Sequence, residues 1–359
     1  MDKTILVTGG AGFIGSNFVR HILGRYPGYR VIVLDALTYA GDVENLGSDY
    51  APFSLKTHAT SNASNNGHAS NLSFWYGNVR NAELVDSLVA ESDIVIHFAA
   101  ESHVTRSIYD NYIFFETDVL GTQVVANAVL KYNKTVERFI HISTSEVYGT
   151  ARSTLMDEEH PLLPMSPYAS AKAGADRLVY SYWATYDVPA ITVRPFNNYG
   201  PHQHLEKCVP RFITSCLLDE PLTVHGDGCA ARDWLHVQDH CEALDRLLHA
   251  DLDTVKGEVI NLGTARSQSV EEIARKVCKV MGKPESLIQY VGDRPGQVFR
   301  HTADISKARR LLGWEPRTSF EDGLERTVRW YEENTRWWSK QMWMRSIPIL
   351  TKTGKVEMH

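Results

Sequence analysis

A chain of 359 residues is long enough to form one large α/β domain and a smaller second lobe. Its 43% hydrophobic and 22% charged residues are ordinary for a soluble globular protein. A formal net charge of −6 provides no general attraction to nucleic acid or to an anionic membrane, so an anionic ligand must be held by local donors.

The N-terminus and the cysteines indicate a cytoplasmic protein, and together with the net charge they predict that it binds neither membrane nor nucleic acid. The apolar run from Thr4 to Thr8 is short and ends at glycines, so it is not typical of a secretory signal. No segment approaches the roughly 18 apolar residues that suggest a membrane span. The five cysteines are odd in number and form no CxxC pair, which favours reduced thiols.

The first two-thirds of the chain alternate short apolar runs with helical patterns, which is typical of βαβ units. The runs are apolar on both faces and predict buried strands of a doubly wound, Rossmann-type parallel sheet, an α/β fold. The predicted strands are Thr4–Val7, Arg30–Leu34, Ile94–Phe98, Phe139–Ser143 and Ala190–Arg194. The predicted helices are Ile14–Arg25, Ala82–Ala90, Thr117–Tyr132 and Ala169–Thr185.

Changes in composition divide the chain into parts. Residues 1–200 are predicted to form the domain with the parallel sheet, to which the chain returns in part at about 230–262. Residues 201–336, with shorter elements, are predicted to form mainly a smaller α/β lobe that binds substrate. Residues 47–72 are rich in Asn, Ser and Gly and predict a surface insertion. Residues 337–359 are a Trp-rich and basic tail, which we expect to pack on the chain's own body or on a twin subunit.

The first strand–helix junction predicts a dinucleotide site. Gly9, Gly12 and Gly15 form a GxxGxxG spacing between the first strand and a helical pattern. Glycines there permit a tight turn, let backbone N–H groups approach a pyrophosphate, and allow the helix to pack closely on the strand. Asp35 closes the second strand 20 residues after Gly15, as expected of an acid that contacts ribose hydroxyls. Because its charge repels a 2′-phosphate, NAD is favoured over NADP as the cofactor.

A second group of residues predicts hydride-transfer chemistry. Thr144 lies at the end of a predicted strand, and Tyr168 and Lys172 form a YxxxK pair on one face of a helix. A free tyrosine hydroxyl has a pKa near ~10, and a neighbouring ammonium favours the phenolate. We therefore expect a lowered pKa for Tyr168, which would let it take a proton from a substrate hydroxyl while Thr144 binds the reacting oxygen.

Together, these residues resemble those of the extended short-chain dehydrogenase/reductases that act on nucleotide sugars. More specifically, the chain resembles the dTDP-glucose 4,6-dehydratases. The similarity covers about residues 3–336, apart from the polar insertion. It is carried by stretches such as LVTGGAGFIGSNFVRHIL, IHFAAESHVTRSI, SPYASAKAGADRLV, NNYGPHQHLEKCVPRFI and GDGCAARDWLHVQDHCEAL.

The resemblance implies an NAD-dependent lyase of deoxysugar biosynthesis. Tyr168 would act in the oxidation of the sugar C4 hydroxyl, Glu146 would remove the acidified C5 proton, and water would leave from C6. Return of the hydride to C6 would give a 4-keto-6-deoxy sugar nucleotide. A homodimer is implied, paired through a four-helix bundle of Thr117–Tyr132 and Ala169–Thr185. Cofactor contacts are implied for Phe13, Ile14, Asn78, Val79 and Ala99, in addition to Tyr168 and Lys172.

The same resemblance implies a set of contacts to a nucleotide-diphosphate hexose. An arginine fork suits this ligand because it offers several donors to phosphate oxygens. Arg232 has an alternative interpretation as a structural ion pair with Asp233 or Asp239. No metal site is expected, since the chemistry needs none. The implied substrate contacts are Ser102, Asn198, Lys207, Arg211, Arg232 and Arg294.

Several positions depart from the family pattern. Ser145 stands where the family usually has an Asp that protonates the leaving C6 oxygen, and a serine hydroxyl is a very weak acid. The resulting Thr-Ser-Glu resembles GDP-mannose 4,6-dehydratases, in which the Glu serves both steps, and UDP-glucuronate decarboxylases. Thr105 and Asn78 each replace an Asp, and His301 replaces a Tyr. These changes border the substrate and the adenine, whereas the hydride-transfer residues are intact.

Other functions stay open at this point. A UDP-glucuronate decarboxylase or a nucleotide-sugar 4-epimerase would share the fold and the first oxidation. A decarboxylase should supply a cationic site for the C6 carboxylate, and an epimerase needs no C5 base such as Glu146. A non-catalytic NAD-binding scaffold is disfavoured by the intact Thr144, Tyr168 and Lys172.

Overall fold

The structure, a computed structural model, describes residues 2–47, 54–56, 71–293, 296–345, 347–350 and 354–358. Its strands are β1 (Thr4–Thr8), β2 (Arg30–Asp35), β3 (Ser54–Lys56), β4 (Leu72–Tyr76), β5 (Ile94–His97), β6 (Arg138–Ile142), β7 (Ala190–Pro195), β8 (Asn197–Tyr199), β9 (Leu222–His225), β10 (Ala231–His236), β11 (Val259–Leu262), β12 (Ser267–Ser269), β13 (Ile288–Val291), β14 (Pro348–Leu350) and β15 (Val356–Met358).

Helices flank these strands along most of the chain. They are α1 (Phe13–Arg25), α2 (Ala82–Ala90), α3 (Val104–Tyr109), α4 (Tyr112–Phe114), α5 (Thr122–Lys131), α6 (Pro167–Tyr186), α7 (Cys208–Leu217), α8 (Val237–His249), α9 (Leu252–Val255), α10 (Val270–Val280), α11 (Ser306–Leu312), α12 (Phe320–Glu333) and α13 (Thr335–Ser339). Short 3₁₀ turns span Val43–Leu46, Ser145–Tyr148, Glu285–Leu287 and Met342–Met344.

A parallel sheet forms the centre of the molecule. In the described residues it has eight strands in the order β11-β7-β6-β5-β1-β2-β4-β3. Ile5 and Val7 of β1 join a core with α1 and α8, whereas Leu6 joins a core with α2, α5 and α6. Because successive side chains of a strand point to opposite faces, both faces are covered and the strands must be apolar throughout. The predicted α/β fold with a doubly wound parallel sheet is confirmed.

The chain after β7 builds mostly a second body. It contains the three-stranded sheet β12-β10-β8 and the pair β13-β9, packed with α7, α10 and α12 around a separate apolar core. From this part β11 returns to the edge of the large sheet beside β7, and α8 packs on α1. The residue bounds of the two domains stay a prediction.

The predicted helix Thr117–Tyr132 is not regular along its length. A π-helical segment, Phe115–Gly121, lies between α4 and α5. Within it Asp118 is fully buried, and its Oδ1 accepts a hydrogen bond from the backbone N–H of Glu101 at 2.8 Å. Such segments are frequent at functional sites. This one buries a carboxyl group close enough to Lys172 to act on its charge.

One stretch passes the length and composition test for a membrane helix, which corrects the expectation that none comes near it. The residues concerned are Tyr112–Lys131, and half of their most apolar window is buried inside the structure. Its α5 part packs between α2 and α6. An apolar helix that covers a sheet in a protein core meets the same test, so the absence of membrane association stays a prediction.

The predicted insertion and tail are described only in part. Most of the insertion at 47–72 lies outside the described residues, although 54–56 form β3 and 72 begins β4. In the tail, Trp337 and Trp338 are buried against the second body, whereas Trp343 is 69% exposed. The beginning of the tail therefore packs on its own chain.

A buried ion pair ties α6 to β7 and yields a stability prediction. Asp176, fully buried, accepts hydrogen bonds at 2.8 Å from both Nε and Nη2 of Arg194. In Asp176→Asn the buried guanidinium loses its counter-charge, so we expect a loss of about 3–5 kcal/mol in the free energy of unfolding, measured by urea denaturation. The half-exposed Arg177, which also contacts Asp176, provides the control: Arg177→Ala should cost less than about 1 kcal/mol. Equal losses in the two variants would contradict the prediction.

The pair of Asp176 and Arg194 also makes the free energy of unfolding depend on pH. Arg194 holds the pKa of Asp176 below its ordinary value against the opposing effect of burial. The pair's contribution is therefore fully present above the unfolded pKa of about 3.9 and is lost as the pH falls below it toward the folded value.

Candidate active site

The carboxyl ends of the central strands open onto a cavity of about 420 Å³. Ligands of open α/β sheets bind at this edge. Arg211 lines a smaller neighbouring cavity, and Arg294 lies outside the described residues. The predicted site residues that line the large cavity are Gly9, Gly12, Phe13, Ile14, Gly15, Asp35, Asn78, Val79, Ala99, Ser102, Thr144, Ser145, Glu146, Tyr168, Lys172, Asn198, Lys207 and Arg232.

The turn between β1 and α1 has no room for side chains. Gly9 has a positive φ of 70°, and a Cβ there would lie 2.6 Å from the backbone nitrogen of Ala99. A Cβ on Gly15 would lie 2.4 Å from the carbonyl oxygen of Gly9. Gly12 is the N-cap of α1 and has no side chain to cover the helix end. The backbone N–H groups at the N-terminus of α1 therefore face the cavity with no capping side chain over them, as pyrophosphate binding requires.

This geometry predicts a cofactor-binding defect. In Gly15→Ala the Gly9 carbonyl must shift, and overpacking of this kind costs about 1–3 kcal/mol. We expect a roughly 5- to 150-fold weaker Kd for NAD, measured by calorimetry. The control is Gly174→Ala on α6, whose Cβ would meet its nearest atom at an ordinary 3.4 Å. An unchanged Kd for NAD in Gly15→Ala would contradict the prediction that the glycine turn binds the cofactor.

Asp35 is held by backbone donors at the end of β2. Its Oδ2 accepts from the N–H of Ala11 at 2.9 Å, and its Oδ1 accepts from the N–H of Leu37 at 2.8 Å. Burial raises the pKa of Asp35, while these two hydrogen bonds oppose the rise. Each oxygen has a further lone pair, so the carboxylate is oriented by the backbone and can still accept from ribose hydroxyls.

The tail supports the glycine turn, a contact that the sequence did not predict. Nε1 of Trp337 donates to Oδ1 of Asn45 at 2.7 Å, and Nδ2 of Asn45 donates to the carbonyl oxygen of Ala11 at 2.8 Å. Both Trp337 and Asn45 are buried. The first turn of the tail is therefore bonded, through one amide side chain, to the loop that forms the predicted cofactor site.

The start of α6 places the YxxxK pair. Ser166 caps the helix by accepting from the N–H of Ala169, and Pro167 takes the first helical position. Tyr168 then falls in the first turn, and Lys172 lies one turn later on the same face. Nζ of Lys172 donates to the carbonyl oxygen of Ile142 at 2.7 Å, which fixes the ammonium at the end of β6.

The electrostatics of this pair correct one expectation. Burial raises the pKa of Tyr168, the carboxylates of Asp118 and Glu146 raise it further, and a hydrogen bond with Thr144 opposes the rise. The expected lowering is wrong for this structure, because burial and the nearby carboxylates determine the direction of the shift, while Lys172 is bound to a backbone carbonyl. Burial lowers the pKa of Lys172 itself, against the opposing charges of Asp118 and Asp176.

Thr144, Ser145 and Glu146 begin the 3₁₀ turn after β6. The Thr144 hydroxyl accepts from the N–H of Glu146 at 3.2 Å and caps the turn. Ser145 is buried, and its Oγ lies 3.3 Å from Nδ1 of His301. Glu146 Oε1 lies 3.9 Å from the same nitrogen. His301 was noted in the sequence only as a departure from the family pattern, and the structure brings it against two predicted catalytic residues.

Different hydrogen bonds hold the side chains of the predicted substrate residues in place. Asn198 donates to the carbonyl oxygen of Phe196 at 2.9 Å and contacts Nδ1 of His240 at 2.9 Å. Lys207 donates to the carbonyl oxygen of Ser102 at 2.8 Å, and this bond places the two residues on the same side of the large cavity. Arg232 is buried and donates to the carbonyl oxygen of Ala231 at 3.0 Å.

Glu206 is a buried carboxylate that lines the large cavity beside Ser102 and Lys207, and it was not predicted from the sequence. Its carboxylate accepts from Tyr39 at 2.7 Å and lies 2.8 Å from His103 and 3.1 Å from Lys207. Lys207 and His103 hold the pKa of Glu206 below its usual value, although burial alone would raise it. Glu206 directly precedes Lys207 in the stretch HLEK, of which only the lysine was predicted to contact substrate.

Arg211 lies in a second cavity of about 110 Å³. This cavity shares His103, Thr105, Glu206 and Cys208 with the large one, so the two cavities adjoin. Burial, together with the charge of Arg345, lowers the pKa of Arg211 to about 10. Arg345 comes from the tail and was not predicted as a site residue; it lines the same cavity.

Comparisons with known proteins agree with this arrangement. A family model described as GDP-mannose 4,6 dehydratase matches residues 6–327. The low-salt glycan biosynthesis protein Agl12 of Haloferax volcanii is 44% identical over 91% of this chain and 98% of its own. A dTDP-glucose 4,6-dehydratase of Streptomyces niveus is 42% identical over 93% of this chain and 94% of its own.

A solved structure shows the same fold. The dTDP-glucose 4,6-dehydratase DesIV of Streptomyces venezuelae, crystallised with NAD, superposes with a TM-score of 0.84 at 41% identity and covers 94% of this chain and 99% of its own. The resemblance proposed from the sequence is therefore confirmed. The chain belongs to the GDP-mannose 4,6-dehydratase family of extended short-chain dehydrogenase/reductases.

Proposed function

We propose that this chain is an NAD-dependent nucleotide-sugar 4,6-dehydratase. The observation that carries the proposal is the single cavity in which the bare glycine turn meets Thr144, Glu146, Tyr168 and Lys172. The dehydratases among its relatives support this reaction, and two of those named above act on dTDP-glucose. A dTDP-linked hexose is therefore the first substrate to test.

The residues present fit NAD. Positions 9 and 15 exclude any Cβ, and Asp35 offers oriented acceptor oxygens; within the described part of the chain, no cation that could hold a 2′-phosphate is among its hydrogen-bond partners. When bound, the cofactor would supply a hydride acceptor for C4 and later a hydride donor for C6. Asn78, Val79 and Ala99 line the cavity where the remaining cofactor contacts are proposed.

The chain's own residues would carry the protons. Tyr168 would take the C4 hydroxyl proton, with Thr144 bonded to the reacting oxygen. Burial raises the pKa of Tyr168 in this structure, so this step needs a positive charge that favours the phenolate, and Lys172 on the same helix face would supply it. The C4 ketone then acidifies C5, and Glu146 accepts the C5 proton. Loss of the C6 hydroxyl with one added proton releases water, and C5 is reprotonated when C6 gains hydride. The net change is loss of one water with no net redox change.

The substrate's diphosphate and nucleoside would lie along the basic wall. Arg232 and Lys207 supply cationic donors, and Asn198 and Ser102 supply polar contacts in the same cavity. Arg211 would bind farther out, in the adjoining second cavity. Guanidinium groups suit this task because they offer several donors to phosphate oxygens.

We also propose a cytoplasmic homodimer paired through α5 and α6 with their neighbouring segments. Support comes from large side chains that are exposed on these elements. Tyr112 is 70% exposed, Leu120 is 51%, Tyr180 is 43% and Tyr186 is 52%. Apolar side chains that form one contiguous exposed patch mark an interaction surface, and we propose that these four belong to such a patch.

The test is mass spectrometry of products from a panel of dTDP-, UDP-, GDP- and CDP-hexoses, UDP-glucuronate and N-acetylhexosamine forms, with NAD. We expect one member to lose one water. Loss of carbon dioxide from UDP-glucuronate, or an isomer of unchanged mass, would overturn the proposal in favour of a decarboxylase or a 4-epimerase. Tight NAD binding without turnover of any member would favour a scaffold.

A further inference from the structure

The ring of His301 has one assignable tautomer. Its Nε2 lies 2.6 Å from the carbonyl oxygen of Gly149. A carbonyl oxygen can only accept, so Nε2 must carry a hydrogen and donate it. His301 is fully buried, and its backbone N–H is bonded to the carbonyl oxygen of Ala231 at 3.1 Å, which fixes the ring's position.

The other ring nitrogen is an acceptor at neutral pH. Burial lowers the pKa of His301 to about 4. Glu146 and the hydrogen bond to Gly149 oppose this effect, and the charges of Arg232 and His160 act in the same direction as burial. A neutral ring that is protonated on Nε2 carries a lone pair on Nδ1. That lone pair faces Ser145 Oγ at 3.3 Å.

The hydroxyl of Ser145 is thereby oriented. The hydrogen of this hydroxyl points to Nδ1 of His301, so the lone pairs of Oγ point in other directions. Ser145 lines the large cavity. In this state the Ser145 oxygen has lone pairs that can accept a hydrogen bond in the cavity, and its hydrogen is already committed to His301. Ser145 therefore cannot stand in for the missing aspartic acid as the proton donor.

We propose that His301 is a positioning residue for the elimination step, acting through Ser145, and this rests on the proposed dehydratase function. The Ser145 oxygen accepts the hydrogen of the sugar's C6 hydroxyl and turns a lone pair of that oxygen toward Glu146. Glu146 takes the proton from C5, the C5–C6 double bond forms, and the C6–O bond breaks. The same carboxyl gives its proton to the departing oxygen, so water leaves with one hydrogen of its own and one from C5.

Two amide variants separate this role from a structural one. An asparagine amide reaches the position of Nδ1, whereas a glutamine amide reaches that of Nε2. His301→Asn therefore keeps an acceptor for Ser145 and loses the Gly149 bond, and His301→Gln does the reverse. If the ring served only to hold Gly149, the glutamine variant would be the active one.

The experiment follows C5-deuterated substrate, namely the panel member that the wild type dehydrates. Mass spectrometry measures water loss and the exchange of C5 deuterium in recovered substrate. We expect His301→Gln to slow water loss about 10- to 100-fold with KM changed less than about threefold, while the ratio of C5 exchange to water loss rises. His301→Asn should stay within about fivefold of the wild type, and Ser145→Ala combined with His301→Gln should be no slower than Ser145→Ala alone.

Equal losses in the two amide variants, or an unchanged ratio of exchange to water loss, would overturn the role of His301. A fully active His301→Gln in an enzyme that makes the 4-keto-6-deoxy product would overturn this inference alone. A wild type that dehydrates no nucleotide sugar would overturn the proposed function and this inference with it. Side-chain ¹⁵N NMR provides a check that needs no substrate, with His301→Asn used to assign the signals: at pH 7 His301 should show the Nε2–H tautomer, and an Nδ1–H or doubly protonated ring would refute the proposal.

Discussion

Replacing Tyr168 by phenylalanine is expected to lower kcat by about 10²- to 10⁴-fold. The variant keeps the ring that packs edge-on against Phe114 but removes the hydroxyl bonded to Thr144. General acid–base groups contribute a factor of this size. The measurement is the initial rate of product formation by mass spectrometry, with the Kd for NAD measured alongside and expected to stay within about fivefold.

Tyr180→Phe is the matched control for this prediction. Tyr180 belongs to the same helix, is 43% exposed and also loses only a hydroxyl. Its variant should retain full activity. If Tyr168→Phe kept more than about a tenth of the wild-type rate, another group would have to take the C4 proton, and the assignment of Tyr168 would fail.

Glu146→Gln is expected to lower the rate of water loss by about 10²- to 10⁴-fold. The amide preserves shape and the capped backbone of the 3₁₀ turn, but it cannot accept the C5 proton. Exchange of C5 hydrogen with solvent should therefore disappear together with dehydration. Both are followed in D₂O by mass spectrometry of substrate and product.

This variant also discriminates between the competing reactions. A 4-epimerase needs no C5 base, so its turnover would survive Glu146→Gln. Glu159, exposed in the segment that follows Gly149, is the control, and its glutamine variant should behave as the wild type. Retained C5 exchange in Glu146→Gln would show that another base acts at C5.

Features built from neighbouring residues could be predicted from the sequence. The glycine turn is one example, because Gly9, Gly12 and Gly15 lie between one strand and one helix and their spacing alone sets the backbone. Tyr168 and Lys172 are another, since four residues are about one helical turn. Five strands of the central sheet were predictable because a sheet buried on both faces requires continuous apolar runs, whereas β3, β4 and β11 were not predicted.

Contacts between distant parts of the chain could not be predicted in this way. Ser145 and His301 are separated by 156 residues, and Asn45 and Trp337 by 292. Nothing in a local pattern joins such pairs. The direction of the pKa shift of Tyr168 failed for the same reason. The YxxxK spacing showed the nearby ammonium, but burial and the carboxyl of Asp118, placed by a π-helical segment, come from the folded surroundings.

The hydrogen bonds from Trp337 through Asn45 to Ala11 have a thermodynamic consequence. A ligand that binds only the ordered glycine turn stabilises that state, by about 2.7 kcal/mol at 100 times its Kd. Because coupling between two events is reciprocal, tail docking that orders the glycine turn would strengthen dinucleotide binding, and the dinucleotide would strengthen tail docking to the same degree. Resistance of the chain near Trp337 to a protease would then report how much cofactor is bound at the opposite end of the sequence.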